Sequence, residues 1–187
     1  MGNLISDENR KYSFTEYMAM EQHSKEHHDF YFGEIFGMSG STKNHNNIIA
    51  NLAVTIKANK KSSGGIFIKG MKLEIVKDQF YVYPDLIYTS DDDLRSDEMY
   101  VKRPSIIFEI FSEANSLYVR QEKLKYYREI PSLQYYVLVD QKEIRIEVYS
   151  NIDDKEIWKY QTFETINEII EFERLEFSLP GLQYMIV

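Results

Sequence analysis

The run Ser105-Ile106-Ile107-Phe108-Glu109-Ile110-Phe111-Ser112 sets one carboxylate in the middle of a segment otherwise suited to full burial. It reads as a core strand over 105–111. Alternation puts Ile107, Glu109 and Phe111 on one face and Ile106, Phe108 and Ile110 on the other. An unpartnered carboxylate in such a strand costs several kcal/mol. Any fold open to this chain must therefore bring Glu109 a cation, hydrogen-bond donors or a metal ion. A second acid raises the same demand. Asp85 follows Pro84 inside the aromatic run from Tyr81 to Tyr88, and a proline there implies a bulge or a strand edge. A structural salt bridge would satisfy either acid alone. Two acids on consecutive core strands, about 5 Å apart, could instead share one divalent ion. Carboxylates of this kind suit Mg²⁺ or Mn²⁺, with water and a substrate phosphate completing the shell.

Along the chain, residues 13–22 read as a short helix capped by Ser13 or Thr15, and 29–38 as two short strands broken at Gly33. From 43 to 60, Ile48, Ile49, Leu52 and Ile56 share one helical face, with Ser41 or Thr42 as the cap. Residues 66–76 and 81–89 read as two strands around the turn at Lys77-Asp78-Gln79. Residues 90–104 read as a loop, and 115–129 as a helix ending before Pro131. A hairpin over 135–140 and 144–149 follows, then strand-like pieces with a turn at Pro180-Gly181. This order predicts an α+β or mixed α/β fold: a mixed sheet flanked by helices, with an N-terminal helix and hairpin and C-terminal β additions. At 187 residues the chain is expected to form a single domain over 1–187, its core about 41–140.

Three further side chains stand out. Lys123 lies in the helix after the Glu109 strand, flanking a buried stripe of Leu117, Leu124 and Tyr127, while Lys125 points away. His45 shares the face of Ile48 and Leu52 near a helix start, where it could meet a phosphate or serve as a cap. Glu34 follows Gly33 in the aromatic hairpin, the position of an ordinary strand-edge acid. His27, His28 and Asp29 read as surface residues, since adjacent strand residues face opposite ways.

Charge and composition narrow the function. With no Cys, disulfide scaffolds, thiolate metal sites and cysteine nucleophiles are excluded. The chain contains no membrane-spanning apolar run and opens without a secretory h-region, so a cytoplasmic location and no membrane partner are expected. No phosphate loop, dinucleotide fingerprint or zinc-protease motif occurs. The net charge of −8 argues against non-specific coating of nucleic acid, yet residues 43–77 carry seven Lys against one acid, Glu74. A solvated Lys-rich surface would explain this. It could also be a docking face for phosphates, with Lys69 and Lys72 as the DNA-binding candidates.

Several phrases occur in a telling order. These are Gly33-Glu34-Ile35-Phe36, His45 at a helix start, Tyr83-Pro84-Asp85, Phe108-Glu109-Ile110-Phe111-Ser112, Glu122-Lys123-Leu124 with Tyr127, and Ile130-Pro131-Ser132-Leu133 running on to Asp140. Over roughly residues 12–184 the chain resembles the Uma-type putative restriction endonuclease family of the PD-(D/E)xK nuclease superfamily. The resemblance implies a restriction-endonuclease-like fold with the active site at one sheet edge, Asp85 and Glu109 as its acids, and the Ile110 backbone carbonyl as a further ligand. Phe111 stands where the superfamily has its Lys, and Lys123 matches the position to which this family has moved it. The chain also departs from the family: Ser112-Glu113-Ala114-Asn115 replaces the usual Ser-Pro-Ser-Thr, and Val119 replaces an Asp.

Together these readings predict an Mg²⁺- or Mn²⁺-dependent endonuclease acting on DNA. Asp85, Glu109 and Lys123 are its catalytic residues, with Glu34 and His45 in second rank. The alternative is a catalytically weak or inactive nuclease-fold protein that binds nucleic acid or a protein. Nucleases of this kind often pair to cut both strands, which makes a homodimer the expected assembly.

Overall fold

The computed structural model describes residues 3–4, 10–38, 40–61, 63–90, 99–112, 115, 117–152 and 157–180. A short β1 (Asn3–Leu4) precedes α1 (Phe14–His23). Ser13 caps α1 in a reciprocal box: its Oγ accepts the Glu16 N–H, and Glu16 Oε2 accepts the Ser13 N–H. β2 (His28–Tyr31) and β3 (Glu34–Gly37) form a hairpin. Its two turn residues, Phe32 and Gly33, both have positive φ, 45° and 88°, as a tight right-twisting hairpin requires. The predicted long helix is α2 (Lys43–Asn59), capped by Thr42, with Ile48, Ile49, Leu52 and Ile56 all buried on its inner face.

The two strands read over 66–76 and 81–89 are each cut in two. The first becomes β4 (Ile66–Ile68) and β5 (Lys72–Val76), parted at Gly70, whose φ is 106°. The second becomes β6 (Phe80–Val82) and β7 (Leu86–Tyr88), parted at Tyr83-Pro84-Asp85, where Pro84 has no N–H for a ladder. The breaks face each other, the Lys69 N–H donating to the Asp85 carbonyl at 3.0 Å. Each half then enters a different sheet. β5 and β6 join a sheet ordered β1-β3-β2-β6-β5-β8, where β8 (Tyr100–Val101) is a short strand inside the segment read as a loop. β4 and β7 join a sheet ordered β12-β11-β10-β9-β7-β4, made with β9 (Ile106–Phe111), β10 (Tyr135–Asp140), β11 (Ile146–Asn151) and β12 (Trp158–Phe163). β9–β10 and β5–β8 are parallel and the other described pairs antiparallel, so both sheets are mixed. The α+β class is as expected, with the described strands divided between two six-stranded sheets and a separate two-stranded hairpin rather than gathered in one sheet.

β9 is buried along its whole length. One of its faces, with Ile106, Phe108 and Ile110, packs under α2 and the hairpin of β13 (Ile169–Phe172) and β14 (Phe177–Pro180). The other, with Ile107 and Phe111, shares a core with Leu73, Val82 and Val119. The predicted helix over 115–129 is instead a π-helical segment, Tyr118–Lys123, running into α3 (Leu124–Tyr127). Only Pro180 of the predicted Pro180-Gly181 turn is described, at the end of β14.

Candidate active site

The site forms at the seam where β6 gives way to β7. β7 pairs with β9 antiparallel, Leu86 opposite Phe108, which brings Asp85 alongside Glu109. The β7 ladder on β9 ends at Leu86, and the Asp85 side chain takes over there: its Oδ2 accepts the Ile110 N–H at 2.8 Å. Its Oδ1 lies 3.2 Å from His45 Nε2, in the first turn of α2. Asp85 thus ties the end of one strand to the body of another and to a helix start.

Glu109 points to the opposite side of β9 from α2. Its Oε1 accepts from Lys123 Nζ at 2.6 Å and from the Tyr127 hydroxyl at 2.8 Å. Neither bond engages Oε2. Burial pushes the Glu109 carboxyl up to about 7; the Lys123 ammonium and the Tyr127 hydroxyl pull it down, while Asp85 adds to the rise. Burial alone would push Lys123 down, but Glu109, with Tyr118, Asp29 and Asp85, outweighs it and holds the ammonium above the usual lysine range. The π-helical turn that carries Lys123 is a wider turn of a kind often found at functional sites.

Asp85, Glu109, Ile110, His45 and Lys123 all line one cavity of about 290 Å³. Lys69 lines it as well, its ammonium bonded to Ser41 Oγ. Two candidates fall elsewhere. Glu34 pairs with exposed Lys11, away from the cavity. Lys72 is a correction: at 5% exposure its ammonium lies 5.7 and 5.9 Å from the Tyr17 and Tyr83 ring centres, so it presents no charge to an outside phosphate. Its burial follows from the position of β5 beneath α1, which residue type alone did not disclose.

Asp29 and His28 correct the surface reading in the other direction, at 7% and 6% exposure. Asp29 and Tyr83 join the cavity wall. Behind them Glu21, on α1, accepts from the Tyr83 hydroxyl and lies against His28 Nδ1, both at 2.5 Å. The signal for Asp29 in the sequence was an acid opening an aromatic strand, and the two His before it masked that signal.

Among the described residues, no three His or acid side chains cluster tightly enough to hold an ion by themselves. Mg²⁺ asks for less, taking one or two carboxylates and leaving the rest of its shell to water and phosphate. Asp85 and Glu109 fit that demand as hard oxygen donors on one cavity wall. The Ile110 carbonyl leaves β9 on the same side as its N–H, towards Asp85.

A family model described as "Uma2: Putative restriction endonuclease" matches residues 14–183. Two Synechocystis proteins are similar in sequence. The protein sll1609 is 32% identical over 160 residues, covering 84% of this chain and 90% of that protein. The protein slr1290 is 30% identical over 178 residues, covering 94% and 90%. The crystal structure of a putative nuclease belonging to DUF820 from Anabaena variabilis superposes with a TM-score of 0.72. It shares 14% identity, covering 93% of this chain and 97% of that one, and so shares the fold. Among the described residues, no helix is long and apolar enough to cross a membrane.

Proposed function

The chain belongs to the Uma2 putative restriction endonuclease family, and from that premise we propose that it hydrolyses phosphodiester bonds within DNA with the help of Mg²⁺ or Mn²⁺. The observation that carries the reading is the convergence of Asp85, Glu109 and Lys123 on one open cavity. Asp85, Glu109 and the Ile110 carbonyl would hold the cation, which supplies Lewis-acid polarisation of the phosphate and an acidified water. Asp85 would exchange its contact with His45 for the ion, leaving His45 at the α2 N-terminus free to donate to a phosphate oxygen. Lys123 is placed to orient the attacking water and to offset the charge that builds on the phosphate as it is attacked. Lys69, exposed at the cavity mouth, would meet a flanking phosphate of the DNA backbone.

The test is incubation of the purified protein with supercoiled plasmid, with Mg²⁺, with Mn²⁺ and with chelator. Nicked or linear product is expected with either metal and none with chelator. Asp85→Asn and Glu109→Gln should each abolish it. Tight duplex binding without any cleavage would favour an inactive, DNA-binding member of the family, a reading supported by buried Val119 at a position where the family carries an acid.

A further inference from the structure

Hydrolysis at this site needs a group that accepts the proton of the attacking water, and most cavity residues are unsuited to it. Lys123, donating to Glu109 at 2.6 Å, is an ammonium with no lone pair. His45 turns Nε2 to Asp85, and its Nδ1 is sealed from solvent with no partner among the described residues. Asp85 lies against His45 and Glu109 against Lys123, and both acids are the proposed metal ligands. Burial pushes the Tyr83 and Tyr118 phenols up, so both keep their protons.

Asp29 differs from all of these. It lines the same cavity from β2 and is 7% exposed. Its Oδ1 accepts the Tyr83 N–H at 3.1 Å, which fixes the carboxylate against the segment leading to Asp85. Its Oδ2 makes no hydrogen bond among the described residues, and the carboxylate is part of the cavity lining. No Lys, Arg or His side chain among the described residues lies within ion-pair distance of Asp29. A carboxylate that lines the cavity, is held by one oxygen and has no described donor on the other is what a general base requires. Burial also pushes the Asp29 carboxyl up, against the pull of the Lys123 ammonium, which favours taking a proton.

Resting on the hydrolysis reading above, we propose that Asp29 is the general base of this site, removing a proton from the attacking water through Oδ2. The water oxygen forms the new bond to phosphorus and its proton passes to Asp29. The bond from phosphorus to the leaving sugar oxygen breaks, and that oxygen takes a proton from solvent. One water is consumed, and Asp29 returns its proton to solvent before the next turnover.

The experiment compares parent, Asp29→Asn, Asp29→Ala and Lys123→Ala in single-turnover cleavage of saturating duplex, with and without added formate. Asn keeps the acceptor for the Tyr83 N–H and so preserves the wall. The expected loss for Asp29→Asn is on the order of 10²–10⁴-fold in rate, with duplex affinity in chelator and melting temperature close to the parent's. Formate should restore a measurable part of the rate to Asp29→Ala and none to Lys123→Ala. Parental rates in Asp29→Asn, or a loss that formate does not relieve, overturn the assignment while leaving the nuclease reading intact. A parent that cuts no DNA with either metal removes the nuclease reading, and this proposal with it.

Discussion

Lys123 Nζ and Glu109 Oε1 meet at 2.6 Å, the lysine from a π-helical turn and the acid from a strand buried along its whole length. The helix returns across the end of β9 and delivers a cation to the face opposite α2. The contact answers the question that Glu109 raises in the sequence, because the apolar strand is tolerated only with such a partner at hand. It also places a positive charge beside the proposed metal ligand, where a phosphate under attack would need it.

If that placement serves the reaction, truncating the lysine should act on the rate more than on binding. Lys123→Ala is expected to lower single-turnover cleavage on the order of 10²–10³-fold, the usual cost of a lost electrostatic donor. Lys125→Ala, on the exposed side of α3, should change it little. Equal rates for Lys123→Ala and parent would move the role to Lys69 or His45.

The raised carboxyl of Glu109 predicts a pH dependence of stability. Folded, the group takes its proton near 7, whereas its ordinary value is 4.5. Between those values the folded chain holds more protons than the unfolded one, so this group's contribution is full below 4.5 and is lost as pH rises through 7. The slope is on the order of 1 kcal/mol per pH unit. Melting temperatures in chelator between pH 5 and 8 should therefore fall more steeply for the parent than for Glu109→Gln. Parallel curves would show that Lys123 and Tyr127 fully compensate the burial.

The sequence disclosed those parts of the site whose cause is local. Glu109 is visible because its neighbours along one strand are apolar, and Lys123 because it sits in a helical segment just after that strand; the buried stripe read beside it keeps Tyr127, but Leu117 is exposed and Val119 is buried instead. Thr42 and the Ile48, Ile49, Leu52 and Ile56 face are equally local. What escaped was decided by tertiary pairing. Pro84 reads as a bulge or a strand edge and Gly70 lies inside a single predicted strand, yet the two pass two strands from one sheet to the other and create the seam that holds Asp85. Asp29 and Lys72 look like surface charges until β2, β5 and β6 pair and α1 packs across them.

Arg120 lies one turn before Lys123 and anchors the same segment. Its guanidinium binds Glu147 of β11 through Nε at 3.0 Å and a terminal nitrogen at 2.6 Å, with Arg145 3.2 Å from the same acid. The Glu147 side chain is 1% exposed, so removing Arg120 strands a buried charge with one partner only. Arg120→Leu should cost about 3 kcal/mol of stability, read by urea unfolding. It should also slow cleavage more than Lys125→Ala does, since the turn holding Lys123 loses its tie to the sheet. Unchanged stability would mean that Arg145 alone suffices.

Lys69 and Lys72 carry the same charge three residues apart, and the structure assigns them opposite fates. Lys69 is exposed at the cavity mouth, and its backbone N–H is bonded to the Asp85 carbonyl, so a phosphate that reaches it is already beside the site. Lys69→Glu should weaken duplex binding and lower the slope of log affinity against log salt by about 1, the share of one phosphate contact. Lys72→Glu should act through folding instead. The buried ammonium lies beside the Tyr17 and Tyr83 rings and feels Glu21, and a second carboxylate there would repel Glu21 without a cation between them. A fall of several degrees in melting temperature is expected. Lys159→Glu, on the exposed strand β12, provides the control for net charge. Anisotropy titrations of a labelled duplex in chelator at three salt concentrations separate the cases. A salt slope lowered equally by Lys69→Glu and Lys159→Glu would place the DNA contact on overall charge rather than on the cavity mouth.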